Sequence, residues 1–347
     1  KHVCIESYAL ELAPNEVSSS EIEDRLAPLY EKLHVPFGTL ARLSGIKSRH
    51  FYDRDVTPSQ VATNVARLAL DRAGFGSEHV GALFNCSVTR DYFEPATAVL
   101  VHRNLGLSED TMAMDISNAC IGFSNGMMVL ASMIESGVTK AGVIVSGETL
   151  TGITDCSMKR LVEEDHIDRE ALLKTLPTFT LGSGAAAMVL CHDSIATKGH
   201  KIVGAAARSA SQFNDLCKGN ADFCFFHNGD FNPLMETDSH PLMAAASKLG
   251  ARTWQDASEV LGWSAADIDH IFCHQVGRQV NEGFYKTMGL PMDKEHTVYQ
   301  SYGNMVSAAM PSALITHAED NVLQKGQKVL LTAFGSGLNA IFTGLIW

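Results

Sequence analysis

The chain has 347 residues, 46% of them hydrophobic and 19% charged, with a formal net charge of −12. That length is long for one hydrophobic core and predicts two domains or a duplicated one, and the acidic balance argues against nucleic acid as a general partner while leaving room for a local basic patch. No stretch has the unbroken apolar length of a membrane span, the start (Lys1-His-Val-Cys-Ile-Glu6) lacks a signal-peptide pattern, and eight cysteines without a Cys-x-x-Cys fit free thiols in a cytoplasmic protein.

Residues 1–10 read as a strand, and a helix is expected from about Ser20 to Leu33, with Ser20 as cap and Glu21 and Glu23 in the first turn. Residues 38–55 mix loop and short helix. Thr57-Pro58 opens a helix that runs to Ala73 and ends at Gly74, and residues 80–88 form a buried strand. A strand at 112–116 then leads through Ser117-Asn-Ala-Cys120 into a helix at 120–136, apolar nearly all round and therefore buried. Cys120 thus sits on a strand-to-helix turn, where unpaired N–H groups and the helix dipole favour a thiolate. The competing reading is one more buried structural cysteine. A strand follows at 141–146.

The second half repeats this order. A helix is expected at 253–261 and a strand at 268–276, in step with 73–88. A helix at 304–320, with Pro311 either kinking it or marking its true start, and a strand at 328–333 follow. The halves close alike, in Thr180-Leu-Gly-Ser-Gly-Ala and Thr332-Ala-Phe-Gly-Ser-Gly337. Such a period is a domain duplication and not a solenoid. Cys120 and Asn304 fall at the start of equivalent helices, which suggests a site on the pseudo-twofold between the halves, although small polar residues also cap helices. Two segments break the repeat. Residues 151–176 are charged and helix-prone, as a surface cap would be, and 211–242 are irregular and aromatic-rich, which fits a lid, a binding loop or a dimer contact. His270 and His274 have His-x-x-x-His spacing, but on a strand their rings stand roughly 13 Å apart, too far for one metal. No metal site is assigned.

Four pieces stand in order: Asn118-Ala-Cys120, Cys273-His274-Gln275-Val-Gly-Arg278, Ser301-Tyr-Gly-Asn304-Met, and Gly335-Ser-Gly337. Together they resemble the thiolase superfamily, specifically the ketoacyl–acyl-carrier-protein synthases of the third type, over the whole chain. The resemblance implies an α/β thiolase fold, with duplicated βαβαβαββ halves in five layers (α-β-α-β-α), divided here as 1–195 and 196–347. It implies a homodimer with no bound cofactor, acting on acyl-CoA or on a phosphopantetheinyl acyl carrier protein. Cys120 would accept an acyl group as a thioester. His274 and Asn304 would hydrogen-bond the carbonyl of the second thioester and stabilise its enolate, and the N–H groups of Cys120 and Gly337 would form an oxyanion hole. Taken singly, His274 reads equally as a core histidine and Asn304 as a helix cap.

A sharper resemblance lies at Arg90-Asp-Tyr-Phe-Glu94-Pro95. It is similar to the OleA-type enzymes of bacterial olefin biosynthesis, which join two fatty acyl-CoAs head to head, and to the allied stand-alone ketosynthases of pyrone antibiotics of the myxopyronin and corallopyronin kind. In the OleA type this glutamate is a general base, carried on a loop that enters the partner subunit. The chemistry supplies a reason: a malonyl donor makes its carbanion by losing carbon dioxide, whereas a plain acyl donor must lose an α-proton to a base. The plain alternative is a surface glutamate. Arg90 and Asp91 are expected to pair with each other. Phe123, Met127, Met128, Met305 and Met310 are read as core, with acyl-tunnel lining as the alternative. The sequence departs from the family at Ser183, where many relatives have Asp, and no CoA-gripping motif is found, so Arg42, Lys47 and Arg49 remain unassigned. The competing functions are a decarboxylating synthase using malonyl donors, a non-catalytic ketosynthase-like partner, and a cysteine hydrolase or acyl shuttle.

Overall fold

The computed structural model describes residues 2–219, 234–274 and 277–347, so Gln275 and the middle of the 211–242 insertion lie outside the described residues. The first half opens with β1 (Val3–Leu12) and β2 (Asn15–Ser18), then α1 (Ser19–Arg25) and α2 (Ala27–Lys32). The single helix expected at 20–33 is two helices. Ser18, not Ser20, accepts the Glu21 N–H in a capping box, and Pro28 has no N–H with which to continue α1. Next come α3 (Thr39–Ser44), β3 (Ser48–Phe51) paired with β2, and α4 (Pro58–Arg72), which starts at a Thr57 capping box. β4 (Val80–Asn85), α5 (Thr97–Leu105), β5 (Met112–Asp115), α6 (Gly122–Glu135), β6 (Ala141–Glu148), α7 (Thr151–Glu163), α8 (Arg169–Thr175) and β7 (Gly184–His192) complete this half.

The second half contains β8 (His200–Ser209), β9 (Cys217–Gly219), β10 (Met235–Thr237), α9 (Ser239–Leu261), β11 (His270–Cys273), α10 (Arg278–Met288), α11 (Ala309–Glu319), β12 (Lys328–Gly335) and β13 (Asn339–Ile346). A 3-10 turn at Val306–Ala308 precedes α11, so Pro311 falls in the first turn of the helix, where its missing N–H has no partner to lose.

The strands form one nine-stranded sheet, β11-β12-β13-β8-β1-β7-β6-β4-β5. In the first half, β4 runs parallel to both β5 and β6, while β7 runs antiparallel to β6 and β1. In the second, β11 is parallel to β12 and β13 is antiparallel to β12 and β8. The place that β5 holds beside β4 is held beside β11 by a single parallel bridge, Ile271 to Glu295. The halves join where β1 meets β8 antiparallel, Cys4 facing Lys201.

Side chains sort these elements into five layers. α4 and α5 pack on one face of the first half's strands through Val61, Val65, Ala69 and Val101. α9 and α10 cover the outer face of the second half through Leu249, Trp254 and Phe284. Between the halves lie α6 and α11. Phe123, Met127, Leu130 and Ile134 repeat at helical spacing on α6 and meet Met310, Leu314 and Ile315 of α11 in one cluster with strand residues from both halves. Each such side chain contributes about 1.5–3 kcal/mol by leaving water. α6 is not buried all round, since Val129, Ser132 and Glu135 reach solvent. Residues 151–176 form α7 and α8, which pack with α1 and α2 around Tyr30, Leu161 and Leu172. Among the described residues no helix is long and apolar enough to cross a membrane.

Candidate active site

After β5 the chain turns sharply toward α6. The Ile116 N–H reaches Asn85 O (2.8 Å), and Ala119 takes a left-handed conformation (φ 46°), uncommon for a residue with a Cβ. Cys120 follows, two residues ahead of Gly122, the first residue of α6. A Cβ at Gly122 would stand 2.5 Å from Cys86 O, so only glycine lets the helix begin this close to the strand layer. The closing turn of the second half lies against this one. A Cβ at Gly335 would be 3.4 Å from the Cys120 nitrogen, and Asn339 Nδ2 donates to Asn118 Oδ1 (3.3 Å). Gly337, with φ 127°, sits on that turn. Burial pushes the Cys120 thiol up, and the nearby Cys217 and Glu148 push it further. That upward push opposes the thiolate expected from the helix dipole, since Cys120 is only partly exposed and lies ahead of the first helical turn.

His274 extends just past β11. Its N–H donates to Thr332 O on β12 (2.9 Å), three residues before Gly335. The side chain is buried, and burial lowers its pKa to about 4, which keeps the imidazole neutral. Its Nδ1 has no hydrogen-bond partner among the described residues. Asn304 sits on the turn before α11. Gly303 (φ 69°) precedes it, and a Cβ there would stand 2.8 Å from Thr180 O. Asn304 is fastened to the end of the first half: its N–H donates to Thr180 O (2.8 Å), and its carbonyl accepts the Gly182 N–H (3.0 Å). Its Oδ1 accepts the Val306 N–H two residues on (3.0 Å), which tightens the turn, and the amide NH2 is the group left to donate. Cys120 packs with Leu181 and Val306, the neighbours of that same join. The Cys120 turn, the Asn304 turn and the Gly335–Asn339 turn thus meet at one place between the halves.

Glu94 lies elsewhere on the surface of the protomer. The loop between β4 and α5 is held at both roots: Val88 and Thr89 N–H groups donate to Glu148, and those of Thr97 and Ala98 to Asp115. Its tip is in solvent, with Tyr92 58% and Phe93 75% exposed and Glu94 exposed beside them. Asp91 does not turn to Arg90 as expected. It accepts the N–H (2.8 Å) and hydroxyl (2.5 Å) of Ser59 in the first turn of α4, a favourable place for a carboxylate.

Residues 114–211 match the 3-oxoacyl-[acyl-carrier-protein (ACP)] synthase III family, and residues 259–345 match its C-terminal counterpart. The chain is 36% identical to the acyl-CoA:acyl-CoA alkyltransferase of Xanthomonas campestris pv. campestris, over 96% of both chains. It belongs to the OleA-type, ketoacyl synthase III-like branch of the thiolase superfamily. The alkyltransferase of Shewanella oneidensis is also 36% identical, over 99% of both chains, whereas a β-ketoacyl-ACP synthase III of Neisseria meningitidis is 29% identical over 89% of this chain and 90% of that one. Cerulenin-bound Xanthomonas OleA superposes with a TM-score of 0.94 at 35% identity, covering 100% of this chain and 97% of that one. A Cys-to-Ser variant of the Xanthomonas enzyme, with bound lauric acid and lauroyl-CoA, gives 0.93. The thiolase fold is thereby shown, and the chain is a condensing acyltransferase that acts on acyl thioesters.

Other residues of this OleA-type chain fall into place around that centre. Phe123, Met127, Met305 and Met310 are at most 1% exposed and belong to the central core, while Met128 is half-buried against Ile121, Ala333 and Ile341. Ser183, at the family's usual Asp, is buried and accepts the Leu150 N–H ahead of α7 (2.9 Å), a structural contact. Arg49 is buried, donating to Val17 O and Ser19 Oγ, and does not present its guanidinium to a phosphate. His270 is hydrogen-bonded to His296 (2.7 Å) and Gln327 (2.9 Å). Among the described residues His2, His192 and Asp193 have metal-ligand spacing, but Asp193 is shared with Lys201. Lys248 and Arg252, one helical turn apart on α9, line a groove of about 510 Å³ with Gln212, Phe213 and Thr287; the sequence analysis did not single them out, although their i, i+4 spacing places them on one helix face.

Proposed function

We propose that this enzyme joins two acyl thioesters without decarboxylation, as a cytoplasmic homodimer in which Glu94 serves the neighbouring protomer's Cys120. The Cys120 sulfur attacks the first thioester carbonyl, CoA or the carrier thiol leaves with the proton, and an acyl-Cys120 thioester remains. Glu94 then takes an α-proton from the second acyl thioester, while neutral His274 and the Asn304 amide donate to its enolate oxygen. The carbanion attacks the Cys120 thioester, the N–H groups of Cys120 and Gly337 hold the oxyanion, a C–C bond forms, and Cys120 leaves. The Glu94 proton returns to the Cys120 sulfur, and the product leaves as a β-keto thioester, as the acid once water displaces CoA or the carrier thiol, or by ring closure as an α-pyrone when both chains are β-ketoacyl. The groove beside Lys248 and Arg252 offers the positive charge that a CoA phosphate or an acidic carrier protein would meet. We divide the chain at 195/196, in the turn between β7 and β8.

The observation that carries the base assignment is the loop at 88–95, whose roots are fixed while Tyr92, Phe93 and Glu94 stand exposed. Two largely exposed aromatic side chains next to an acid form a surface suited to being covered by another. The test is intact-protein mass and product analysis with a long-chain acyl-CoA and no malonyl donor. Wild type should form a Cys120 adduct and a β-keto product. Glu94→Gln should load equally and condense about 10²–10⁴-fold more slowly. Turnover only on addition of a malonyl thioester would return the chain to the decarboxylating synthases.

A further inference from the structure

Glu148 ends β6 and is completely buried. One carboxylate oxygen accepts the Val88 N–H (2.9 Å) and the Ser307 hydroxyl, and the other accepts the Thr89 N–H (3.1 Å) and hydroxyl (2.9 Å). These donors occupy both carboxyl oxygens, with no cation paired to the group among the described residues. Burial pushes the carboxyl upward, and the bonds from Ser307, Val88 and Thr89 offset only part of that. A buried acid held by neutral donors alone is a costly way to close a strand, since a non-ionisable side chain would cap the same turn.

The donors come from two places. Val88 and Thr89 are the root of the Glu94 loop. Ser307 lies in the 3-10 turn whose first N–H is held by the Asn304 side chain. Ser307 is also bonded to Ser146 on β6. The far root of the loop belongs to the same network, through Ser87 to Asn85 (2.7 Å), Asn85 to Asp115 (3.1 Å), and Asp115 to the Thr97 and Ala98 N–H groups. One carboxylate therefore fixes the strand end, the loop that carries the acid, and the turn that carries the amide.

We propose that Glu148 is a positioning residue for condensation, tying the Glu94 loop and the Asn304 turn into one rigid unit without touching substrate. This rests on the roles proposed above for Glu94 and Asn304. Loading of Cys120 uses neither the loop tip nor the Asn304 amide, so a defect in Glu148 separates the two half-reactions. A general loss of packing lowers both together.

The test measures single-turnover acyl loading and condensation for Glu148→Gln, Glu94→Gln, the double variant and Ser307→Ala. In Glu148→Gln an amide N–H2 must face a backbone or hydroxyl donor. It should load Cys120 at least as fast as wild type, since the acid that pushes that thiol up is gone, and condense at least about tenfold more slowly. The double variant should lose less than the product of the two single losses, because both act on one element. Ser307→Ala, which removes only the Asn304 arm, should slow condensation with loading intact, and keeps the test open if Glu148→Gln does not fold. Equal losses in loading and condensation, or fully multiplicative losses in the double variant, overturn the proposal. If Glu94→Gln condenses at the wild-type rate, the base assignment falls. Slow condensation by Ser307→Ala then still supports Glu148, and normal condensation overturns it.

Discussion

The end of β4 and the end of β11 are equivalent positions in the duplicated sheet, and they are used in opposite ways. From β4 the chain runs out into a loop that leaves Glu94 in solvent. From β11 it steps directly into His274, which is 3% exposed and neutral. One turn later the halves agree again. A left-handed residue precedes the candidate site residue in each, Ala119 before Cys120 and Gly303 before Asn304. The lesson concerns charge. The acidic side chain stands at the surface of the single chain, whereas the imidazole and the amide are kept dry, where each hydrogen bond they make is strongest. Glu148 is the exception, an acid kept inside, and its surrounding donors show what that requires.

Three perturbations sharpen this contrast. Gly182→Ala strikes where the halves touch, because a Cβ there would run into the Tyr302 carbonyl beside the Leu181–Asn304 bridge. It should destabilise the protein by at least about 2–3 kcal/mol, seen in denaturant melts, with condensation falling as the Asn304 turn moves. Wild-type stability would mean that the join is loose and the halves independent. Next in size is acid. His274 has a lowered folded pKa of about 4, so below about pH 6.5 the unfolded chain binds a proton that the folded one does not. Stability is thus full above that pH and is lost as pH falls to about 4, by about 3 kcal/mol, and then levels off. Melts of wild type and His274→Ala across pH 7 to 4 should diverge, with the variant showing the flatter curve. Smallest is Asp91→Ala, which removes the acceptor of the Ser59 N–H and hydroxyl. It should cost about 1 kcal/mol and speed amide exchange at the start of α4, leaving the acid melt of the His274 half unchanged.

Much of the architecture was legible because it is periodic or punctuated. Thr57-Pro58 and Gly74 bound α4 where the chemistry of caps puts them, and the repeated Gly-Ser-Gly endings marked equivalent edges of the sheet. The errors lie where tertiary contacts override local signals. Ser20 looked like a cap until Ser18 took the role. Arg90 and Asp91 are adjacent in sequence, yet Asp91 is drawn to Ser59, more than thirty positions away. The thiolate expected from the helix dipole took no account of burial, which a sequence shows only indirectly. Glu148 gave no signal at all, because a lone glutamate ending a buried strand looks like the strand's first exposed residue. Its meaning comes from donors that lie far along the chain.

The shared layer of α6 and α11 has a consequence for how the chain melts. Phe123, Met127, Leu130 and Ile134 find their cover in the other half, and the strand ladder runs unbroken across the β1–β8 seam. Either half alone would leave that apolar stripe and one strand edge in water, a surface that invites aggregation. The two halves of the sequence are therefore expected to melt as one on heating, and severing the turn between β7 and β8 should leave two pieces that stay folded only together.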